Sequence, residues 1–235
     1  MGAYQLRAVN SRVVAASLGA VVVVAASVFG AAPSSAAPVT DGLYGDPEAA
    51  TRYWEPQTES DCGLLAARTV IGELTGAPPT EREIIDLATS TPSECTPGQP
   101  VYDESIDPSD GGTGHGTCTD DLVLLLRHYG VNADYTNDDE AGSGGQATGI
   151  DALAGYLGDG RQALVCVNAA TIWDTDDDRT ECDHMVTVAA IDFDNDIVYL
   201  GDSGADDTRG EQVSIDTFTT AWATGGHELV VTAPR

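Results

Sequence analysis

The sequence predicts an α+β fold in which N-terminal helices pack on a C-terminal antiparallel sheet. Three observations lead to this prediction. Apolar residues recur at helical spacing between residues 61 and 88, runs rich in β-branched residues dominate from residue 163 onward, and the two patterns occupy different halves of the chain. Chains that place helices first and antiparallel strands afterwards fold into segregated layers, which defines the α+β class.

The composition excludes several function classes. The 235-residue chain has 38 acidic residues against 10 basic ones, all of them arginine, and a formal net charge of −28. A polyanion is repelled by nucleic acids and by anionic membrane surfaces, so we expect no nucleic-acid partner and no membrane contact beyond an export signal. A hydrophobic fraction of 42% is enough for the core of one ordinary domain, and a monomer is the favoured state.

Residues 1–36 have the three-part layout of a secretory signal peptide. Arg7 and Arg12 precede an uncharged run of mainly Val and Ala at residues 13–32, and small residues follow up to Ala36, after which we expect cleavage. The apolar run is also long enough to serve as an uncleaved membrane anchor, which is the alternative. Both alternatives place the protein outside the cytoplasm, and the signal peptide predicts a secreted, extracellular protein.

The mature chain is predicted to begin with an exposed leader segment, residues 37–52, followed by one domain over residues 53–235. The first helix of the domain is predicted to begin at Asp61, because apolar residues then recur every three or four positions. Gly76 and the prolines that follow it are predicted to end this helix.

The remaining elements are predicted from capping residues and strand patterns. Thr80 and Glu83 form a capping box that opens a second helix. After a long loop over residues 89–116, Thr117 is predicted to cap a third helix that ends near His128. The later predicted elements are a strand at 131–135, a helix at 150–157, a strand at 163–168, a hairpin of 185–191 and 197–200, a helix at 216–222 and a strand at 228–232.

Five cysteines in an exported chain leave one thiol without an intramolecular partner. Cys62 stands apart from the other four cysteines in the sequence, and we predict that it is the free thiol. Four cysteines allow three connectivities, which the sequence alone does not distinguish. Among these we prefer the pairs Cys95 with Cys118 and Cys166 with Cys182.

Cys62 begins the first predicted helix, where the partial positive charge of the helix N-terminus favours a thiolate, the reactive form of cysteine. A nucleophilic thiol also needs a base, and the base needs an orienting group. His184 opens the first strand of the predicted hairpin and Asp202 follows the second strand. Pairing of the two strands would bring Asp202 beside the imidazole, so the sequence predicts a Cys-His-Asp triad.

The order of these three residues is that of papain-like enzymes, and the sequence around them makes the likeness more specific. Four runs carry it: Tyr-Trp-Glu-Pro-Gln at 53–57, Asp-Cys-Gly at 61–63, Asp-His-Met-Val at 183–186 and Tyr-Leu-Gly-Asp-Ser at 199–203. They resemble the double-glycine-leader peptidases and their secreted relatives, the peptidase family C-39-like group of the papain clan. The resemblance covers about residues 50–233.

The resemblance implies a papain-like cysteine peptidase fold and a secreted, stand-alone cysteine peptidase acting on peptide or protein substrates. Cys62 would be the nucleophile, His184 the general base and Asp202 the group that orients the imidazole. Gln57 would donate its side-chain amide to the oxyanion. Acyl transfer of this kind uses no metal and no organic cofactor. Three residues depart from the usual family pattern without removing a catalytic group, namely Leu64, Met185 and Ser203.

Two alternatives remain open. A catalytically silent module that binds a peptide or a cell-wall component would keep the same cleft. Weak calcium binding by acidic loops is the other alternative. The run from Asp174 begins like an EF-hand calcium loop, but Arg179 and Met185 stand where that loop needs Gly and Glu, so we expect no EF-hand. We also expect no zinc site, because Cys and His are not paired at zinc-ligand spacing.

Overall fold

The computed structural model describes residues 41–104, 117–204 and 206–234. The predicted export signal at residues 1–36, with its cleavage site, lies outside these ranges, as do residues 105–116 of the predicted loop before Thr117. Within the described ranges, no helix has both the length and the apolar character needed to cross a membrane.

The described residues form seven strands and eight helices, with the longest helices near the start of the domain and the longest strand near its end. In chain order the elements are β1 (Leu43–Gly45), α1 (Ala49–Arg52), α2 (Cys62–Thr75), α3 (Glu81–Ser90), α4 (Leu122–His128), β2 (Ala133–Thr136), α5 (Asp138–Gly142), α6 (Ile150–Gly158), β3 (Ala163–Val167), α7 (Ala169–Ile172), β4 (His184–Asp192), β5 (Ile197–Gly201), β6 (Glu211–Val213), α8 (Ile215–Ala223) and β7 (Leu229–Thr232).

Helices α2 and α3 confirm the sequence prediction. The end of α2 is fixed by Gly76, whose φ of 73° lies in the left-handed region that glycine adopts without steric cost. The predicted capping box of α3 is present, because Thr80 accepts a hydrogen bond from the backbone N–H of Glu83 and the Glu83 carboxylate accepts one from Thr80. These local signals place Cys62 at the N-terminus of α2.

The strands form one antiparallel sheet in the order β2-β7-β3-β4-β5-β6. Strand β4 is central, since β3 pairs with its first half, β5 with its second half, and β1 with its last three residues. The predicted β4–β5 hairpin is therefore confirmed. Within it Thr187 lies opposite Gly201, so the first residue of β4 and the residue that follows β5 lie at the same end of the hairpin.

A hydrophobic core covers each face of the sheet. Alternate residues of β3 point to opposite faces, as a strand requires. Leu164 and Cys166 belong to the core formed with α2, α3 and α4, whereas Val165 and Val167 belong to the core formed with α6 and α8. The predicted α+β class and antiparallel sheet are confirmed, and the structure adds a second helical layer on the other face.

The prediction of an exposed leader over residues 37–52 is wrong for the part that the structure describes. Strand β1 pairs with β4, and Ala49 and Ala50 of α1 are buried. A three-residue strand and a single helical turn are too short to produce a recognisable hydrophobic period. The short elements α5, α7 and β6 were not predicted for the same reason.

The predicted start of the third helix is also wrong, because α4 begins at Leu122 and not after Thr117. The residues before α4 are held by long-range bonds. Cys118 forms a disulfide with Cys95, and the Asp121 carboxylate accepts a hydrogen bond from the Ser93 hydroxyl at 2.6 Å. Such contacts between distant residues set the start of α4, and they leave no periodic signal in the sequence.

Candidate active site

A short hydrogen bond joins His184 and Asp202 at one end of the β4–β5 hairpin. His184 is the first residue of β4 and Asp202 follows the last residue of β5. The ring Nε2 of His184 lies 2.7 Å from Oδ1 of Asp202. The side chains are only 5% and 0% exposed, so water competes little for this bond.

Cys62 contacts the other side of this pair. All five cysteines lie in the described ranges, and Cys62 is the one that forms no disulfide, as predicted. Its half-buried thiol lies beside the His184 ring, lines the same cleft and raises the pKa of that ring. Because Nε2 is engaged by Asp202, Nδ1 is the ring nitrogen that remains for the thiol. The structure thus brings Cys62, His184 and Asp202 together from three separate segments.

The Asp202 carboxylate accepts hydrogen bonds at both oxygens. Besides His184, the backbone N–H of Gly204 donates to Oδ1 at 2.7 Å and the indole N–H of Trp173 donates to Oδ2 at 3.0 Å. The indole N–H of Trp54 donates to the backbone carbonyl of Asp202. The three donors to the carboxylate stabilise its ionised form and fix its orientation toward the imidazole.

The three side chains favour a charged imidazole. Burial by itself lowers the pKa of His184, but its hydrogen bond to Asp202 and its interaction with Cys62 outweigh burial and raise the pKa to about 10. Burial would raise the pKa of Asp202, but the hydrogen bond and the attraction to His184 outweigh it and lower the pKa to about 2. Both shifts favour an imidazolium paired with a carboxylate.

Gln57, the predicted oxyanion donor, lies in the loop before α2 and is anchored beside Asp202. Its backbone N–H donates to the carbonyl of Ser203 at 2.8 Å, and the Ser203 hydroxyl donates to its side-chain oxygen at 3.0 Å. Its amide nitrogen donates to the carbonyl of Glu59 at 3.0 Å. None of these bonds reaches Cys62, so the structure places Gln57 near the Asp202 turn and not directly on the thiol.

A cleft of about 360 Å³ opens at Cys62 and His184. Of the residues that the structure describes, both disulfides and three acidic side chains line it, whereas no arginine does. The acidic lining residues are Asp120, Asp183 and Glu228. The cleft beside the thiol is therefore negatively charged.

The two disulfides, Cys95–Cys118 and Cys166–Cys182, are those preferred from the sequence. In the described ranges, the two groups of side chains close enough to share a metal ion each combine one disulfide with one carboxylate, Asp120 or Glu228. Disulfide sulfurs are not thiolates, so the oxidised protein offers no charged sulfur ligand at either group. The disulfides are consistent with an extracellular location.

Two carboxyl groups beside the site were missed by sequence reasoning. Glu211 is hydrogen-bonded to Asp202, and burial followed by that bond raises its pKa to about 8. Asp61 is 1% exposed, and burial followed by repulsion from Glu81 raises its pKa to about 7. Glu211 reaches the site by pairing of β5 with β6, and Asp61 by packing of α2 against α3, so neither contact leaves a local sequence pattern.

The fold resembles that of a known structure. It matches a candidate C39-like peptidase from Bacillus anthracis with a TM-score of 0.57, covering 83% of this chain and 99% of that chain. The two sequences are 14% identical, so the likeness establishes the fold. No family model matches the sequence.

The sequence itself has close relatives in mycobacteria. It is 44% identical over 208 residues to the uncharacterised protein Rv1268c of Mycobacterium tuberculosis and to the uncharacterised protein Mb1299c of Mycobacterium bovis. Each alignment covers 86% of this chain and 88% of the relative. The chain therefore belongs to the same family as these mycobacterial proteins.

Proposed function

We propose that this protein is a secreted cysteine peptidase, or a closely related amide hydrolase, with a papain-like triad of Cys62, His184 and Asp202. The observation that carries the proposal is the continuous chain of contacts from a free thiol through an imidazole to a buried carboxylate. A histidine with only a packing role would require neither partner. The likeness to a C39-like peptidase fold supports the same reaction class.

In the proposed reaction Cys62 acts as a thiolate and His184 as an imidazolium. The sulfur attacks the carbonyl carbon of the amide, forming a C–S bond while the carbonyl π electrons move to oxygen. His184 then donates its proton to the amide nitrogen, the C–N bond breaks, and the amine leaves. His184 next removes a proton from water, which attacks the thioester, and cleavage of the C–S bond releases the acid and the thiolate.

The oxyanion formed in each step needs hydrogen-bond donors. We assign this role to the backbone N–H of Cys62, at the N-terminus of α2, and to the side-chain amide of Gln57. The Ser203 hydroxyl donates a hydrogen bond to the side-chain oxygen of Gln57, and this bond sets the orientation of the amide and of its two N–H groups. One of those two N–H groups remains after the bond to Glu59. A single donor of this kind typically contributes about 3 kcal/mol of barrier lowering.

We further propose that residues 1–36 direct export and are removed after Ala36. The folded domain that they would deliver begins earlier than the predicted boundary at residue 53, since β1 already belongs to the sheet. The substrate would then be a peptide or protein met outside the cytoplasm. Disulfides persist in such a compartment, which agrees with the two bonds that line the cleft.

Peptide-library profiling of residues 37–235 under mildly reducing conditions tests the proposal. We expect cleavage by the wild type and by Asp176→Asn, an exposed control substitution, and a loss of about 1,000-fold or more in Cys62→Ala and His184→Ala. Full activity in Cys62→Ala would refute the assignment. Peptide binding without cleavage by the wild type would instead identify a silent binding module.

A further inference from the structure

The carboxyl group of Glu211 lies against the carboxylate of Asp202. Glu211 is the first residue of β6 and is paired with Leu200, two residues before Asp202. Antiparallel pairing makes the two residues diagonal neighbours on one face, and the carboxyl group of Glu211 interacts with that of Asp202 beside the indole of Trp173, whose N–H donates to Asp202. Its Oε2 atom is buried without a hydrogen-bond partner among the described residues. The fully buried Asp202 and the half-buried Glu211 therefore form a contact between two acids, next to the proposed triad.

Two buried carboxyl groups in contact repel strongly when both are ionised, so one of them retains a proton. Asp202 accepts N–H bonds from His184, Gly204 and Trp173, and all three stabilise its charged form. By contrast, no N–H or O–H group of the described residues donates to the buried Oε2 of Glu211. The proton therefore belongs on Glu211, in agreement with the upward shift of its pKa by burial and by Asp202.

We propose that Glu211 is a positioning residue that stays protonated at neutral pH and donates a hydrogen bond to Asp202, holding the carboxylate that orients His184. This inference rests on the proposed function, which gives Asp202 its orienting role. In alkaline solution Glu211 loses its proton, and repulsion between two carboxylates replaces the hydrogen bond. Asp202 then turns away from His184. Within the described ranges, the charged groups that act on Glu211 are Asp202 and His184, while Trp173 contributes a neutral indole.

Two substitutions separate the hydrogen bond from the titration. Glu211→Gln keeps an N–H donor for Asp202 but cannot ionise, whereas Glu211→Leu removes the donor. We expect the wild-type rate of peptide hydrolysis to fall above about pH 8. Glu211→Gln should stay within about twofold of the wild type at pH 7 and keep its activity at least about one pH unit further into the alkaline range. Glu211→Leu should lose about tenfold or more at pH 7, and Asp176→Asn should follow the wild type.

A spectroscopic measurement tests the protonation of Glu211 without relying on hydrolysis. Infrared difference spectra of the wild type and Glu211→Gln at pH 7 should contain the carbonyl band of a protonated carboxylic acid that only the wild type has. Absence of this band overturns the proposal. An alkaline limit that Glu211→Gln leaves unchanged also overturns it, as does an equal loss of activity in the Gln and Leu variants. Failure of the proposed function looks different, because the wild type would not hydrolyse peptides at any pH whether or not the band is present.

Discussion

The indole ring of Trp173 lies against the imidazole ring of His184, with the ring centroids 5.0 Å apart. The same indole donates a hydrogen bond to Asp202, so Trp173 covers the bond between the imidazole and the carboxylate. Its side chain is 37% exposed and faces solvent on its outer side. A hydrogen bond shielded from water is electrostatically stronger than an exposed one, and Trp173 provides this shielding.

Gly204 allows Trp173 to occupy this position. A Cβ atom at residue 204 would lie 2.4 Å from Cζ2 of the indole, so Gly204→Ala must displace the ring. We expect activity to fall about tenfold and the free energy of unfolding to fall by about 1–3 kcal/mol. Displacement should also shift the indole N–H resonance of Trp173 in the NMR spectrum.

The matched control is Gly155→Ala in α6, where an added Cβ meets no atom within 4 Å. It should leave activity unchanged and stabilise the protein by about 0.5–1 kcal/mol, because alanine is the better helix former. An unshifted Trp173 resonance together with full activity in Gly204→Ala would show that the ring does not shield the site.

Asp61 makes the stability of the protein depend on pH. Its pKa is about 7 in the folded protein against an ordinary value of 3.8, so the folded state keeps a proton that the unfolded chain releases in this window. Stability therefore falls as the pH rises from about 4 to about 7. The Asp61→Asn variant cannot ionise at this position. At pH 8 its free energy of unfolding should exceed that of the wild type by about 2 kcal/mol, whereas at pH 4 the variant should not be more stable.

Urea unfolding at pH 4 and pH 8 measures this difference. Asp176→Asn removes the same charge from an exposed loop and should follow the wild type at both values. A stability difference between Asp61→Asn and the wild type that is the same at pH 4 and pH 8 would rule out titration of Asp61 as the cause.

The disulfide Cys166–Cys182 should support the site directly. Cys166 pairs with Met185 across β3 and β4, and Cys182 lies two residues before His184. The bond closes a loop with a sequence separation of 16, for which chain entropy predicts about 3 kcal/mol of stabilisation. We expect the double variant Cys166→Ala/Cys182→Ala to lose most of this stability and most activity.

Replacement of the other disulfide provides the comparison. Cys95→Ala/Cys118→Ala also removes a cross-link beside the cleft, but neither cysteine adjoins the strand that begins with His184. This double variant should also be less stable than the wild type. For the same loss of stability, it should lose less activity than Cys166→Ala/Cys182→Ala. Equal losses of activity in the two double variants, measured at a temperature where both are folded, would argue against a specific role for Cys166–Cys182.

The acidic lining of the cleft predicts a preference for positively charged substrates. Asp120, Asp183 and Glu228 create a negative potential that favours Lys or Arg near the scissile bond over Glu. We expect KM to be several-fold lower for the basic peptides in low salt, and the difference to shrink in about 1 M salt, where charges are screened beyond about 3 Å. Glu228→Gln should reduce the difference in KM between basic and acidic peptides, whereas Asp176→Asn should leave it unchanged. Equal KM values for basic and acidic peptides in low salt would contradict this expectation.

The neighbourhood of Cys62, His184 and Asp202 could be predicted because each residue adjoins a strong local pattern. An amphipathic run and a terminal glycine define α2, and two β-branched runs around an acidic turn define the β4–β5 hairpin. Hairpin pairing then fixes which strand ends meet. Local periodicity was sufficient for this part of the fold.

The partners of these residues could not be predicted in the same way. Trp173 follows a helix of four residues, and Glu211 begins a strand of three residues, both too short to produce a period. The side chain of Gln57 is fixed by Ser203, which is 146 positions away in the sequence. Contacts of this kind depend on tertiary packing and on side-chain rotamers, which no local pattern encodes.

The central claim is tested most directly by the rate at which iodoacetamide alkylates Cys62. This rate is measured by mass spectrometry from about pH 5 to pH 9, in the wild type and in His184→Ala. If His184 and Asp202 activate the thiol, the wild type reacts rapidly near pH 6 and His184→Ala reacts at least about tenfold more slowly there. Equal, slow rates in both proteins that rise together near about pH 8.5, as for an ordinary cysteine, would contradict the account.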